Sequence, residues 1–262
     1  MRRGKRLKER TALITGGNGG IGLGIAEAFA LEGAGVMIAG TNLQKLDRAK
    51  ATLVPHGQRV EIAQVDVSDR GACFDLVSRT IEIFGQLDIL VNGAAIYIPR
   101  AFTDYTPEEF SRTLEVNLHG PFHLMQAVMP HMIERGYGKI INIASTAGKW
   151  ASKNQCAYNV AKHGMVGMTR CAALEHAGQG ISINAICPGL VQTDLVDQFE
   201  KEHAALNNTT PDVIRTELIK RVPMGHYLNV ADCGHLAVYL ASSESNAMTG
   251  QSILLDGGML FI

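Results

Sequence analysis

The chain has 262 residues and a formal net charge of −1, with 46% hydrophobic and 19% charged residues. That balance fits a globular protein and excludes a disordered one, and near-neutrality offers no global attraction to nucleic acid or an anionic membrane surface. The basic opening "MRRGKRLKER" reads as a solvated arm, and no apolar run approaches the ~18 residues of a membrane span.

Beyond residue 10, short apolar runs alternate with longer segments of helical period. "TALIT" (11–15) leads into a glycine-rich turn and the helix "IGLGIAEAFALEG". "GVMIAG" (35–40), "VEIAQVD" (60–66) and "LDILVNGA" (87–94) are each followed by helical stretches. The last of these starts near Thr106–Pro107 and reads as one long helix that Pro121 and Pro130 bend or shorten. "GKIINIAS" (138–145) precedes a helix carrying Tyr158, "GISINAICPG" (180–189) follows, and "GQSILLDGG" (250–258) closes the series. Continuously apolar strands alternating with helices predict an α/β Rossmann-type doubly wound fold, a seven-stranded parallel sheet with helices on both faces. No linker or internal repeat divides the chain, so residues 1–262 are expected to form a single domain. The polar segment at about 190–228 interrupts the alternation and reads as a substrate lid.

"TGGNGGIG" (15–22) follows the first strand and opens the first helix, where backbone N–H groups and the helix dipole favour a diphosphate. Gly16 allows the tight turn, and Gly20 and Gly22 allow close approach. Absence of a Gly-Lys-Ser/Thr sequence argues against a nucleoside triphosphatase. Asp66, ending the third strand, can accept from an adenine amino group, while Ser68 or Asp69 better suits the cap of the next helix. After the second strand stand Gly40, Thr41 and Asn42, with neither an acid to grip a ribose 2′-hydroxyl nor an arginine to meet a 2′-phosphate. The missing acid leans towards NADP over NAD. Five cysteines without CxxC spacing read as free thiols of a reducing cytosol, and without an HExxH motif no metal site is expected.

Within "AYNVAKHG" (157–164), Tyr158 and Lys162 share one helical face. With the glycine turn, "NGAA" (92–95), Asn117 in "EVNLHG", Ser145 in "NIAST" and "PGLVQT" (188–193), the sequence resembles the short-chain dehydrogenase/reductase family over about residues 8–258. Ser145 and Tyr158 lie 13 residues apart, as the family pattern implies. The resemblance implies a cytoplasmic NAD(P)-dependent enzyme, commonly a homotetramer, that interconverts a secondary alcohol and a ketone. Its catalytic set would be Asn117, Ser145, Tyr158 and Lys162. A cation ~5 Å from the phenol at an effective dielectric of 20 is worth ~3 kcal/mol, which brings a pKa of about 10 down to roughly 8. Tyr158 would then exchange the proton, Ser145 would bond the reacting oxygen, and Asn117 would anchor a relay water.

The resemblance further implies that the cofactor meets Gly16, Asn18, Gly20, Ile21 and Gly22 of the turn, Thr41, Asp66 and Val67, and Asn92 and Ala94 after the fourth strand. Tyr158 and Lys162 would hold its ribose, with Pro188, Gly189, Val191 and Thr193 around the carboxamide. Ala95 places a methyl where the family has glycine, which motivates an alternative, a dinucleotide-binding regulator without turnover. "VAKHGMVGMT" is similar to the 3-hydroxybutyrate dehydrogenase branch. However, the matching pocket positions Tyr97, Ala147, Gln155, Leu190 and Phe199 supply no cation for a short carboxylate. With Trp150, and with Lys149 and His226 as further candidates, they point instead to a small polyol, sugar-derived or cyclic alcohol. The long helices 106–134 and 155–178 would lie between subunits.

Overall fold

All seven apolar runs form strands in a computed structural model, which describes residues 5–262. They are β1 (Thr11–Thr15), β2 (Gly35–Gly40), β3 (Val60–Gln64), β4 (Ile89–Asn92), β5 (Gly138–Ile143), β6 (Ile181–Pro188) and β7 (Ser252–Leu255). Every pairing is parallel, in the order β3-β2-β1-β4-β5-β6-β7. β1, β4, β5 and β6 are buried along their whole length, because helices cover both faces. The strand order reverses between β1 and β4, one half of the sheet being built outward from each, which opens a crevice beyond the carboxyl ends of the strands, where ligands bind in such sheets.

One core layer joins β1 and β2 to α1 (Gly20–Leu31) and α2 (Leu43–Leu53). The other joins the opposite face to α3 (Arg70–Phe84), which Asp69 caps by accepting from Ala72 N–H at 3.1 Å. α1 packs closely on a late helix, Val230–Ala241. A Cβ on Gly24 would come within 2.8 Å of Val230, and one on Gly234 within 2.9 Å of the Gly24 carbonyl.

Three regions depart from the sequence-based expectation. The helix foreseen from Thr106 is two helices, α4 (Pro107–Leu114) and α5 (Gly120–Arg135), joined by a π turn over Glu115–His119. Pro121 has no N–H to give to the Asn117 carbonyl, so the ladder re-registers and Gly120 N–H donates to Glu115. Pro130 is carried inside α5. α6 (Cys156–His176) follows β5.

The polar segment 190–228 is largely helical, with α7 (Asp194–Leu206) and α8 (Pro211–Ile219) before α9 (Val230–Ala241). Its polar composition reflects ion pairing between the two helices. Buried Glu200 on α7 accepts from Arg215 at 3.0 Å and from Tyr227 at 2.8 Å. A parallel bridge between Val191 and Leu228 closes its base.

Residues 1–4 of the basic opening lie outside the described residues, and the remainder is not a solvated arm. Leu7 is fully buried, Arg6 pairs with Glu32 at 2.6 Å, and Arg10 reaches the fully buried Asp88 at 3.1 Å. A buried carboxylate requires such partners. Among the described residues no helix is long and apolar enough to cross a membrane.

Candidate active site

The first side of the crevice is the β1–α1 turn. Gly16 takes φ +68°, and a Cβ there would stand 2.7 Å from the Gly93 carbonyl, so the turn and the loop after β4 press together. Gly19, the N-cap of α1, offers no side chain, and the first N–H groups of α1 are left without a side-chain cap. Gly16, Asn18, Gly20, Ile21 and Gly22 all border a cavity of about 920 Å³. Uncapped donors at a helix N-terminus facing such a space suit a diphosphate, so these residues fit a dinucleotide.

The floor is built from β5, the turn after it, and α6. Ser145 leaves β5 with extended backbone, and its Oγ accepts from Ala147 N–H at 3.1 Å. Across from it stands Tyr158, near enough for the serine hydroxyl to favour the ionised phenol. Lys162, one turn further along α6, is buried, and its Nζ donates to the Ile143 carbonyl at 2.8 Å. The same Nζ lies 5.5 Å from the centre of the Tyr158 ring. Ser145, Tyr158 and Lys162 therefore meet on one wall of the cavity.

The expected lowering of the tyrosine pKa does not occur in this arrangement. Burial pushes Tyr158 up to about 12, against the opposing effect of the Ser145 hydroxyl. Burial also brings Lys162 down to about 8. Desolvation disfavours both charged forms, and an ammonium that itself titrates near 8 and is bonded to Ile143 is a weak fixed charge for the phenol.

Asn117 lies within the π turn and is fully buried. Its amide accepts from Ile96 N–H and donates to the Ile96 carbonyl, both at 2.8 Å. It thus clamps the loop after β4.

The other cofactor positions divide. Pro188, Gly189, Val191 and Thr193 border the cavity, and Thr193 faces Gly20 across it, 3.3 Å from a Cβ there. Thr41, Asp66, Val67, Asn92 and Ala94 do not line it. The Asn92 amide is turned into the sheet, donating to Asn142 at 2.8 Å, and its Oδ1 is buried without a partner. Burial raises Asp66, but hydrogen bonds from Ser68 and Arg112 outweigh it and hold the carboxyl below its usual range. The Arg112 contact, 2.7 Å, spans 46 residues and leaves no local signal in the sequence.

Tyr97, Ala147, Trp150, Gln155 and Leu190 line the same cavity, together with Phe199. Lys149 and His226 do not line the cavity; Lys149 bonds Ser252 at 2.6 Å, and His226 is exposed. The sequence reading missed His203 and Arg221, both on the 190–228 segment. The Tyr97 hydroxyl and His203 Nε2 are 2.7 Å apart, His203 stacks on Phe199 with centroids at 4.1 Å, and Tyr97 meets Tyr158 edge-on at 5.5 Å. Arg221 stacks over the Trp150 ring at 4.3 Å. His119 and His123 lie one turn apart, yet no group of three metal-binding side chains occurs among the described residues.

A protein-family model described as enoyl-(acyl carrier protein) reductase matches residues 16–260. The D-beta-hydroxybutyrate dehydrogenase of Cupriavidus necator is 37% identical, over 96% of this chain and 98% of that protein. The galactitol 2-dehydrogenase of Agrobacterium fabrum is also 37% identical, over 97% and 98%. Among solved structures, an NAD+-bound xylitol dehydrogenase superposes with a TM-score of 0.94 at 30% identity, covering 97% of this chain and all of that one.

Proposed function

The chain belongs to the short-chain dehydrogenase/reductase family and is a nicotinamide-dependent alcohol oxidoreductase; on that footing we propose that Tyr158 is its general acid and base and that its substrate is a polyol or sugar-derived secondary alcohol. The observation that carries the reading is the meeting of Ser145, Tyr158 and Lys162 on the wall of a cavity that continues to the uncapped start of α1. Relatives acting on galactitol and xylitol support the substrate class.

When bound, a nicotinamide dinucleotide supplies or accepts the hydride. Its diphosphate would rest on the N–H groups at Gly20–Gly22, with Val191 and Thr193 near the carboxamide. Tyr158, protonated near neutrality, stands ready to give its proton to a ketone oxygen. Ser145 steadies that oxygen, and Lys162, bonded to Ile143 and 5.5 Å from the tyrosine ring, would hold the ribose. Asn117 positions the loop after β4 and would anchor a relay water. The missing acid at Gly40–Asn42 favours NADP. Residues 190–228 act as a lid, within a single domain. Exposed Phe122 on α5 and Val160 on α6 suit a homotetramer packed through these helices, and the free cysteines suit the cytoplasm.

A panel of polyols, sugar acids, hydroxy acids and cyclic alcohols, followed by nicotinamide absorbance with both cofactors, tests the reading. Turnover of a secondary alcohol is expected. Dinucleotide binding with no turnover across the panel would instead favour a regulator.

A further inference from the structure

The cavity is bordered by positive charge that its own carboxylates neutralise only in part. Four cations other than Lys162 border the space, namely Lys45, Lys153, Lys220 and Arg221, beside the acids Asp194 and Glu217. Each acid is already taken: Asp194 by Lys45 at 3.6 Å, Glu217 by Lys220 at 2.6 Å. Among the described residues, no carboxylate lies within ion-pair distance of Arg221 or Lys153.

Arg221 is nevertheless held in place. Its guanidinium lies over the Trp150 indole at 4.3 Å, and the Trp150 carbonyl is pinned by Asn159 at 2.7 Å. The cation–π contact anchors this exposed guanidinium at the mouth of the cavity, while its N–H groups stay available. A planar fork of donors with no internal acceptor matches a carboxylate. Lys153, three residues beyond Trp150, adds a second, more mobile charge to the same wall.

We infer that the alcohol this enzyme acts on bears a carboxylate at the end remote from the carbinol, received by Arg221 with Lys153 beside it, so that the substrate is a sugar acid and not a neutral polyol. The inference rests on the alcohol-oxidoreductase reading and narrows it. It also revises the argument that this pocket lacks a cation, which considered Tyr97, Ala147, Gln155, Leu190 and Phe199. Those residues are uncharged, so the carboxylate is received at the Trp150 wall, beyond the immediate surroundings of Tyr158. One guanidinium edge suits a carboxylate better than a phosphate, which calls for a larger donor set.

The test uses the full chain with NAD and NADP. Aldonates, neutral polyols of equal length and their terminal phosphate esters are compared in the wild type, Arg221→Gln and Arg221→Lys. The wild type is expected to prefer aldonate over polyol at least tenfold in kcat/KM, mainly through KM. Arg221→Gln should cut that preference at least fivefold, with Arg221→Lys in between. Binding is read independently, because Trp150 is the only tryptophan and its emission reports what meets Arg221. Aldonate should alter that emission in the wild type and not in Arg221→Gln. Equal or better use of the polyol, a preference unchanged in Arg221→Gln, or preference for the phosphate ester would each overturn the inference. Arg221-dependent aldonate binding without turnover of any alcohol would uphold the anion site and sink the oxidoreductase reading instead.

Discussion

The floor of the cavity and the helical segment that borders it, proposed above as a cover, are stabilised in different ways. On the floor, polar groups are tied to the sheet or to each other at short range. Lys162 bonds Ile143, Asn117 clamps Ile96 at both ends of its amide, and Ser145 caps its own turn. The cover, α7 and α8, is held chiefly to itself, through Glu200, Arg215 and Tyr227. It meets the floor through rings, with Tyr97 against Phe199 and His203, and Arg221 over Trp150. A prearranged floor suits proton exchange, which tolerates little displacement. A cover joined to itself suits selection among substrates.

If the floor is the chemical half, its variants should fail in turnover. Lys162→Met should lower kcat by ~10²–10³-fold. It should also remove a pH signature. The buried ammonium loses its proton at about 8 in the fold, below its value of about 10.5 when unfolded. Between those values the unfolded state binds more protons, so this group makes stability rise with pH from about 8. Urea midpoints from pH 8 to 10 should climb in the wild type relative to Lys162→Met; parallel curves would contradict the buried charge. Asn117→Ala should cost about 1–3 kcal/mol by leaving the Ile96 groups unpaired, with a loss of kcat, as unfolding and steady-state assays would show.

If the cover is the selective half, its variants should move KM. Glu200→Ala removes the acceptor shared by Arg215 and Tyr227. Since Arg215 is partly exposed, about 1–2 kcal/mol of stability is expected to go, with KM raised more than kcat is lowered. An equal fall in kcat at unchanged KM would erase the distinction. The smallest effect belongs to cofactor choice. Thr41→Asp, which brings a carboxylate toward a 2′-phosphate, should raise KM for NADP by about tenfold while sparing NAD. Equal effects on both cofactors would remove the basis for proposing NADP.

Much of the floor was legible because its signals are local. The apolar runs gave the strands, the glycine turn gave the uncapped helix start, and four-residue spacing put Tyr158 and Lys162 together. The π turn was half legible: Pro121 announced a disturbance but not its form. The cover was obscured because charged residues that pair across two helices look, in one dimension, like a polar loop. Arg112 on Asp66 and Arg221 on Trp150 were hidden for a related reason, since contacts 46 and 71 residues apart leave no periodic trace. The tyrosine pKa was misjudged because the sequence supplies the neighbouring cation but not the desolvation that raises the phenol.

The central claim is that the hydroxyl of Tyr158 carries the proton of the reaction. It is tested most directly by measuring turnover and dinucleotide binding side by side in the wild type and Tyr158→Phe. The account predicts cofactor affinity within about twofold and a rate lower by ~10²–10⁴-fold. Equal rates in the two proteins, at equal cofactor affinity, would contradict it.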